Sequence, residues 1–103
     1  FSVYRASKAA VRNLARSWML DLKDRRIRVN VISPGPINTP GLLGLAAHAE
    51  EESRLLAGLA ASVPLGRLGH PDEIANVALF LASEEGSFLN GAELFVDGGE
   101  VQF

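Results

Sequence analysis

Val11, Leu14, Ala15, Trp18 and Leu22 fall at i, i+3, i+4, i+7 and i+11, while Arg5, Arg12, Arg16 and Lys23 occupy another face. This spacing predicts an amphipathic helix over residues 3–25, with Ser2 placed to cap it. Ala6, Ala9 and Ala10 keep its first turns slim, so a second backbone could approach closely. The period then changes. Ile27, Val29 and Val31 alternate with the polar Arg28 and Asn30, which predicts a strand over residues 27–33. Residues 34–41 read P-G-P-I-N-T-P-G; three prolines and two glycines exclude regular structure and predict a stiff, shaped loop.

Residues 42–62 are rich in Ala, Leu and Glu and predict one or two short helices, weakened by Gly44 and Gly58. Residues 64–69 connect them to a clear helix start at His70-Pro71-Asp72-Glu73, where proline takes the first turn and acids face the positive end of the dipole. Ile74, Val77, Ala78 and Leu81 supply that helix's apolar face, out to about Ser83. A turn over 86–91 and a second strand over 93–96, closed by Asp97-Gly98-Gly99, complete the chain. Strands separated by helices favour an α/β fold with a parallel sheet. Two strands alone leave both outer edges unpaired, so the expectation is that residues 1–103 are the C-terminal part of a larger α/β domain.

Composition narrows the function. The chain has 103 residues, 48% of them hydrophobic and 21% charged, which fits a globular protein. A net charge of −2 gives no general attraction to nucleic acid or to anionic lipid, and no apolar run approaches the ~20 residues of a membrane span. There are no cysteines, hence no disulfide framework and no thiolate chemistry, and a cytoplasmic setting is expected. His48 stands near Glu50, Glu51 and Glu52, but His70 is too distant in sequence to share a metal with it, so no metal site is expected and the acids read as a solvated helix face.

Tyr4 and Lys8 carry the most suggestive chemistry. Four residues is about one helical turn, so both project from the same side. A phenol ordinarily loses its proton near pH ~10. A neighbouring ammonium favours the phenolate and can bring a tyrosine into use as an acid–base group at an oxygen. Taken alone, the pair is more often an ordinary half-buried tyrosine with a lysine lying along it and its head in water.

The surrounding residues resolve that choice. V-Y-R-A-S-K-A-A-V resembles the active-site helix of the short-chain dehydrogenase/reductase family. In the same order, I-R-V-N-V-I-S-P-G-P-I-N-T-P resembles its cofactor-contacting strand end, R-L-G-H-P-D-E-I-A-N-V-A-L-F-L-A-S the helix before its last strand, and G-A-E-L-F-V-D-G-G that closing strand. The resemblance covers the chain except for about residues 42–62. It implies part of a Rossmann-like, doubly wound parallel sheet and a hydride transfer between NAD or NADP and a small carbonyl or alcohol substrate. By this similarity Tyr4 is the general acid–base, and Lys8 holds the nicotinamide ribose and favours the Tyr4 phenolate. Pro34, Gly35 and Ile37 pack against the nicotinamide and offer it backbone groups, and Thr39 contacts the cofactor through its hydroxyl. Residues 40–63 fall where the family places its substrate loop, and their leucines suggest either a lid over an apolar or mid-sized substrate or ordinary core packing.

The Tyr-x-x-x-Lys spacing argues against the enoyl-reductase branch of that family, and V-D-G-G against the extended, epimerase-like one. Arg5 replaces the small residue more usual after the tyrosine. The family's glycine-rich turn, catalytic serine and catalytic asparagine all lie in its N-terminal half. None is found here, so that half is expected to be absent from these residues. Homodimers or homotetramers are implied for the intact protein. The competing expectation is a catalytically inactive fragment that serves only in assembly.

Overall fold

The computed structural model describes residues 2–39 and 49–100, apart from the side chains of Ser2, Tyr4 and Arg5. The chain divides into two compact units, Phe1–Val31 with Phe80–Leu94, and Ile32–Leu79 with Phe95–Phe103.

In the first unit, helix α1 spans Ser2–Asp21. It ends a turn before the predicted limit because Lys23–Arg25 tighten into a 3-10 turn. Arg26 then takes a left-handed conformation at φ 56°, and its N–H closes on the Lys23 carbonyl at 3.1 Å. The apolar stripe behaves differently from a core-facing one. Ala15 is buried at 5% exposure, while Val11, Leu14 and Trp18 stand 50%, 48% and 52% exposed. Arg12, on the flank of the stripe, reaches Glu93 at 3.4 Å.

The predicted strand over 27–33 is corrected to strand β1 at Val31–Pro34. Residues 27–30 alternate as expected but are only partly laddered: the Val29 carbonyl accepts the Gly91 N–H at 2.8 Å, while the other bonds of this stretch to residues 83–92 run through side chains. The Val29 N–H donates to Asn90 Oδ1 at 3.0 Å, and Asn30 Oδ1 accepts the Ala92 N–H at 3.0 Å while its Nδ2 donates to the Leu89 carbonyl at 3.0 Å. The Arg28 guanidinium donates to the carbonyls of Gly86 at 2.8 Å and Leu89 at 3.2 Å. Thus the two polar residues that interrupt the apolar alternation pin the turn leading to the last strand.

That strand, β2, is Glu93–Val96, as its sequence predicts. It pairs with β1 in a two-stranded parallel sheet. The Val31 N–H donates to the Ala92 carbonyl at 2.9 Å and the Gly35 N–H to the Val96 carbonyl at 3.0 Å, one sequence offset holding along both strands as parallel pairing requires.

In the second unit, helix α2 spans Ala49–Ala61, with Glu50, Glu51 and Glu52 in its first turn, where the helix dipole favours negative charge. Helix α3 spans Pro71–Ala82, within one residue of expectation at each end, and all but its last three residues belong to this unit. Its start is a one-sided capping box, in which Glu73 reaches back to accept the His70 N–H at 2.9 Å. Val63, 5% exposed, is the buried apolar centre of this unit. No helix among the described residues is long and apolar enough to cross a membrane, and among them no group of side chains could hold a metal ion. His48 and residues 40–48 of the expected substrate segment lie outside the described residues.

Candidate functional site

Two sets of residues singled out by the sequence fall in different units and are described separately. In the first unit, Tyr4 and Lys8 lie on α1 about one turn apart. Lys8 is exposed. The helical backbone thus supplies the same-side spacing that acid–base use of the pair requires.

In the second unit, Pro34 ends β1 and the loop begins. Gly35 is there because the backbone passes very close to the end of β2. A Cβ on Gly35 would stand 2.7 Å from both Cα and Cβ of Asp97 and 3.1 Å from its carbonyl oxygen, so no side chain fits without moving backbone. The loop is not wholly irregular, which corrects one expectation. Ile37 forms an isolated parallel bridge with Gly69. The Gly69 N–H donates to the Pro36 carbonyl at 2.9 Å, and the Asn38 N–H to the Gly69 carbonyl at 2.9 Å. In such a bridge the residue flanked by these two bonds turns its own N–H and C=O the opposite way. Ile37 therefore presents an amide donor and a carbonyl acceptor together on the face away from Gly69. Thr39 follows, half-buried.

Sequence reasoning missed what holds Gly69. Arg67 makes a bidentate pair with Glu73, Nη1 to Oε1 at 2.7 Å and Nη2 to Oε2 at 2.9 Å, and its Nη1 also donates to the Leu68 carbonyl at 3.0 Å. With the His70 N–H on the same Glu73 oxygen, the backbone on either side of Gly69 is tied to one carboxylate. The Arg67 hydrogen bonds, then the His70 N–H, hold the Glu73 carboxyl down at about 2. The helix-start motif H-P-D-E signalled the cap, but nothing in the spacing of Arg67 and Glu73 announced the pair. Asp97 was read as a strand terminator. It is buried, and its Oδ1 accepts the Gly99 N–H at 2.9 Å, fixing the turn after β2. A cavity of about 430 Å³ opens in this unit, lined among others by Ile37, Val63, Leu65, Arg67, Glu73 and Asp97.

Known proteins resemble the chain along nearly its whole length. The family described as enoyl-(acyl carrier protein) reductase matches residues 1–100. An oxidoreductase of Sarocladium schorii is 48% identical over 98% of this chain and 39% of its own length. The 3-oxoacyl-[acyl-carrier-protein] reductase of Thermotoga maritima is 43% identical over 95% of this chain and 37% of its own. The crystal structure of a short-chain dehydrogenase family protein from Francisella tularensis superposes with a TM-score of 0.86 at 30% identity, covering 97% of this chain and 43% of that one. The chain therefore spans roughly two fifths of the relatives it matches. On the strength of that match over residues 1–100, together with the shared sheet and helix order, the chain belongs to the short-chain dehydrogenase/reductase family.

Proposed function

We propose that the intact protein is an oxidoreductase acting on a small carbonyl or alcohol with NAD or NADP, and that residues 1–103 form the C-terminal part of its Rossmann-like domain. The observation that carries this reading is the Tyr4–Lys8 pair, one turn apart on α1. The dinucleotide, when bound, supplies or accepts the hydride. Tyr4 gives a proton to the carbonyl oxygen during reduction and takes it from the hydroxyl during oxidation. Lys8 favours the phenolate through its charge and holds the ribose hydroxyls.

The loop residues fit a nicotinamide on their own chemistry. A carboxamide both donates and accepts, and the N–H and C=O of Ile37 on one face complement it. Pro34 and Gly35 would pack against the nicotinamide, and the Thr39 hydroxyl would contact the cofactor. Residues 40–63 form the segment over the substrate. The intact protein assembles as a dimer or tetramer.

The test is turnover of the full-length protein with NADH or NADPH and a ketone. Tyr4→Phe is expected to lower kcat/KM by at least about 10²; a variant as active as the wild type removes Tyr4 from the reaction. The description of the matching family as an enoyl reductase supports a second reading, reduction of a conjugated carbon–carbon double bond. Turnover of an enoyl thioester in preference to a 3-oxoacyl thioester would establish it. The exposed Val11, Leu14 and Trp18 favour a role in assembly as well. By itself the 103-residue chain is expected to turn nothing over.

A further inference from the structure

Gly69 is the link between two hydrogen-bonded systems of the second unit. On one side its N–H and C=O hold Pro36 and Asn38, and so fix the orientation of Ile37 between them. On the other, its neighbours are held by a single ion pair. Leu68 gives its carbonyl to Arg67, His70 gives its N–H to Glu73, and Arg67 and Glu73 close on each other through two bonds. Arg67 and Glu73 are 51% and 40% exposed in their side chains. A solvent-exposed pair of that kind adds little to global stability. Its geometry is nevertheless bidentate, which is the arrangement that fixes orientation as well as distance. A Cβ at Gly69 would meet only the far end of the Ile37 side chain, Cδ1 at 2.7 Å, which can move aside.

We infer that Arg67 and Glu73 are positioning residues for dinucleotide binding, acting through Gly69 to hold the backbone amide and carbonyl of Ile37 toward the nicotinamide carboxamide. This rests on the cofactor reading above. Neither side chain touches the reacting atoms. They restrict the segment at residues 36–38 to the conformation that binds, so that less order has to be gained when the cofactor arrives. Loss of the pair should weaken dinucleotide binding and raise its KM, with a smaller change in kcat at saturation.

Three variants of the full-length protein test this. Glu73→Gln keeps an oxygen for the His70 N–H and loses the ion pair. Arg67→Lys keeps the charge and loses the bidentate grip. Gly69→Ala presses on the end of the Ile37 side chain with no change of charge. Amide hydrogen exchange at Gly69 and Asn38, measured without dinucleotide, reads the positioning directly, and the dissociation constant for NADH or NADPH reads its consequence. Glu73→Gln is expected to accelerate exchange and weaken binding by roughly tenfold, and Arg67→Lys and Gly69→Ala by less. Both readouts unchanged in Glu73→Gln, in a protein whose wild type binds dinucleotide, overturn the positioning role alone. Accelerated exchange with unchanged affinity overturns it too, because the bridge then does not serve the cofactor. A wild-type protein that binds no dinucleotide overturns the cofactor reading itself, and this inference falls with it.

Discussion

Helix α1 and the loop after β1 hold the two halves of the proposed chemistry by opposite means. On α1 the spacing of Tyr4 and Lys8 comes from the helical repeat itself, and the apolar stripe of the same helix is half exposed, with Ala15 as its buried member. Residues 34–38 have no repeat to rely on. Their shape comes from a close backbone approach at Gly35 and from two hydrogen bonds to Gly69. One segment takes its spacing from local structure. The other is specified by contacts far away in sequence, and single-atom changes there should be felt.

The strongest challenge to this contrast is Gly35→Ala. The added methyl meets Asp97 backbone at 2.7 Å, so backbone must move, and such overpacking typically costs about 1–3 kcal/mol. Urea denaturation of the variant should show that loss; an unchanged midpoint would mean the loop is as tolerant as the helix. The next effect is one of pH. Glu73 has its carboxyl lowered from 4.5 to about 2, so the folded state holds the proton more weakly than the unfolded chain. The stability from its contacts is fully present above the ordinary carboxylate value and drains as pH falls toward about 2. Glu73→Gln should flatten that acid limb in a series of melts, and the side chain's exposure makes the effect modest. Smaller still, Gly58 sits inside α2 with nothing within 4 Å of where its Cβ would be. Gly58→Ala should stabilise by about 0.5–1 kcal/mol in thermal unfolding. The smallest change expected is for Trp18→Gln in the isolated chain, within about 0.5 kcal/mol of wild type, because half of the indole is already exposed. A large loss there would show α1 to be as dependent on tertiary contacts as the loop.

The same contrast explains what could be read from the sequence. Helix α3 and strand β2 were legible to within a residue because Pro71, the acids beside it and the β-strand pattern of Glu93–Val96 are local signals. The start of β1 was not, since Val29 alternates as a strand residue should and yet bonds to the side chain of Asn90. The one-turn spacing of Tyr4 and Lys8 was legible from the sequence, but the roles proposed for them and for residues 34–39 followed from resemblance; for the loop in particular, backbone groups would carry the role and a sequence names side chains. The Arg67–Glu73 pair was invisible for a related reason: six residues apart across a turn, the two meet only after the chain has folded.

The bridge between Ile37 and Gly69 has a bearing on how such an enzyme could diversify. It fastens together the two ends of everything that lies between them, the expected substrate segment included. A loop fastened at its base can gain or lose residues at little cost, since each doubling of its length adds only about 0.6 kcal/mol of closure entropy. Insertions and deletions that spare α2 and Val63 should leave the strand register and the orientation of Ile37 in place. Selectivity for new substrates can then be acquired by changing the length of one segment, while the groups that would hold the cofactor stay where they are.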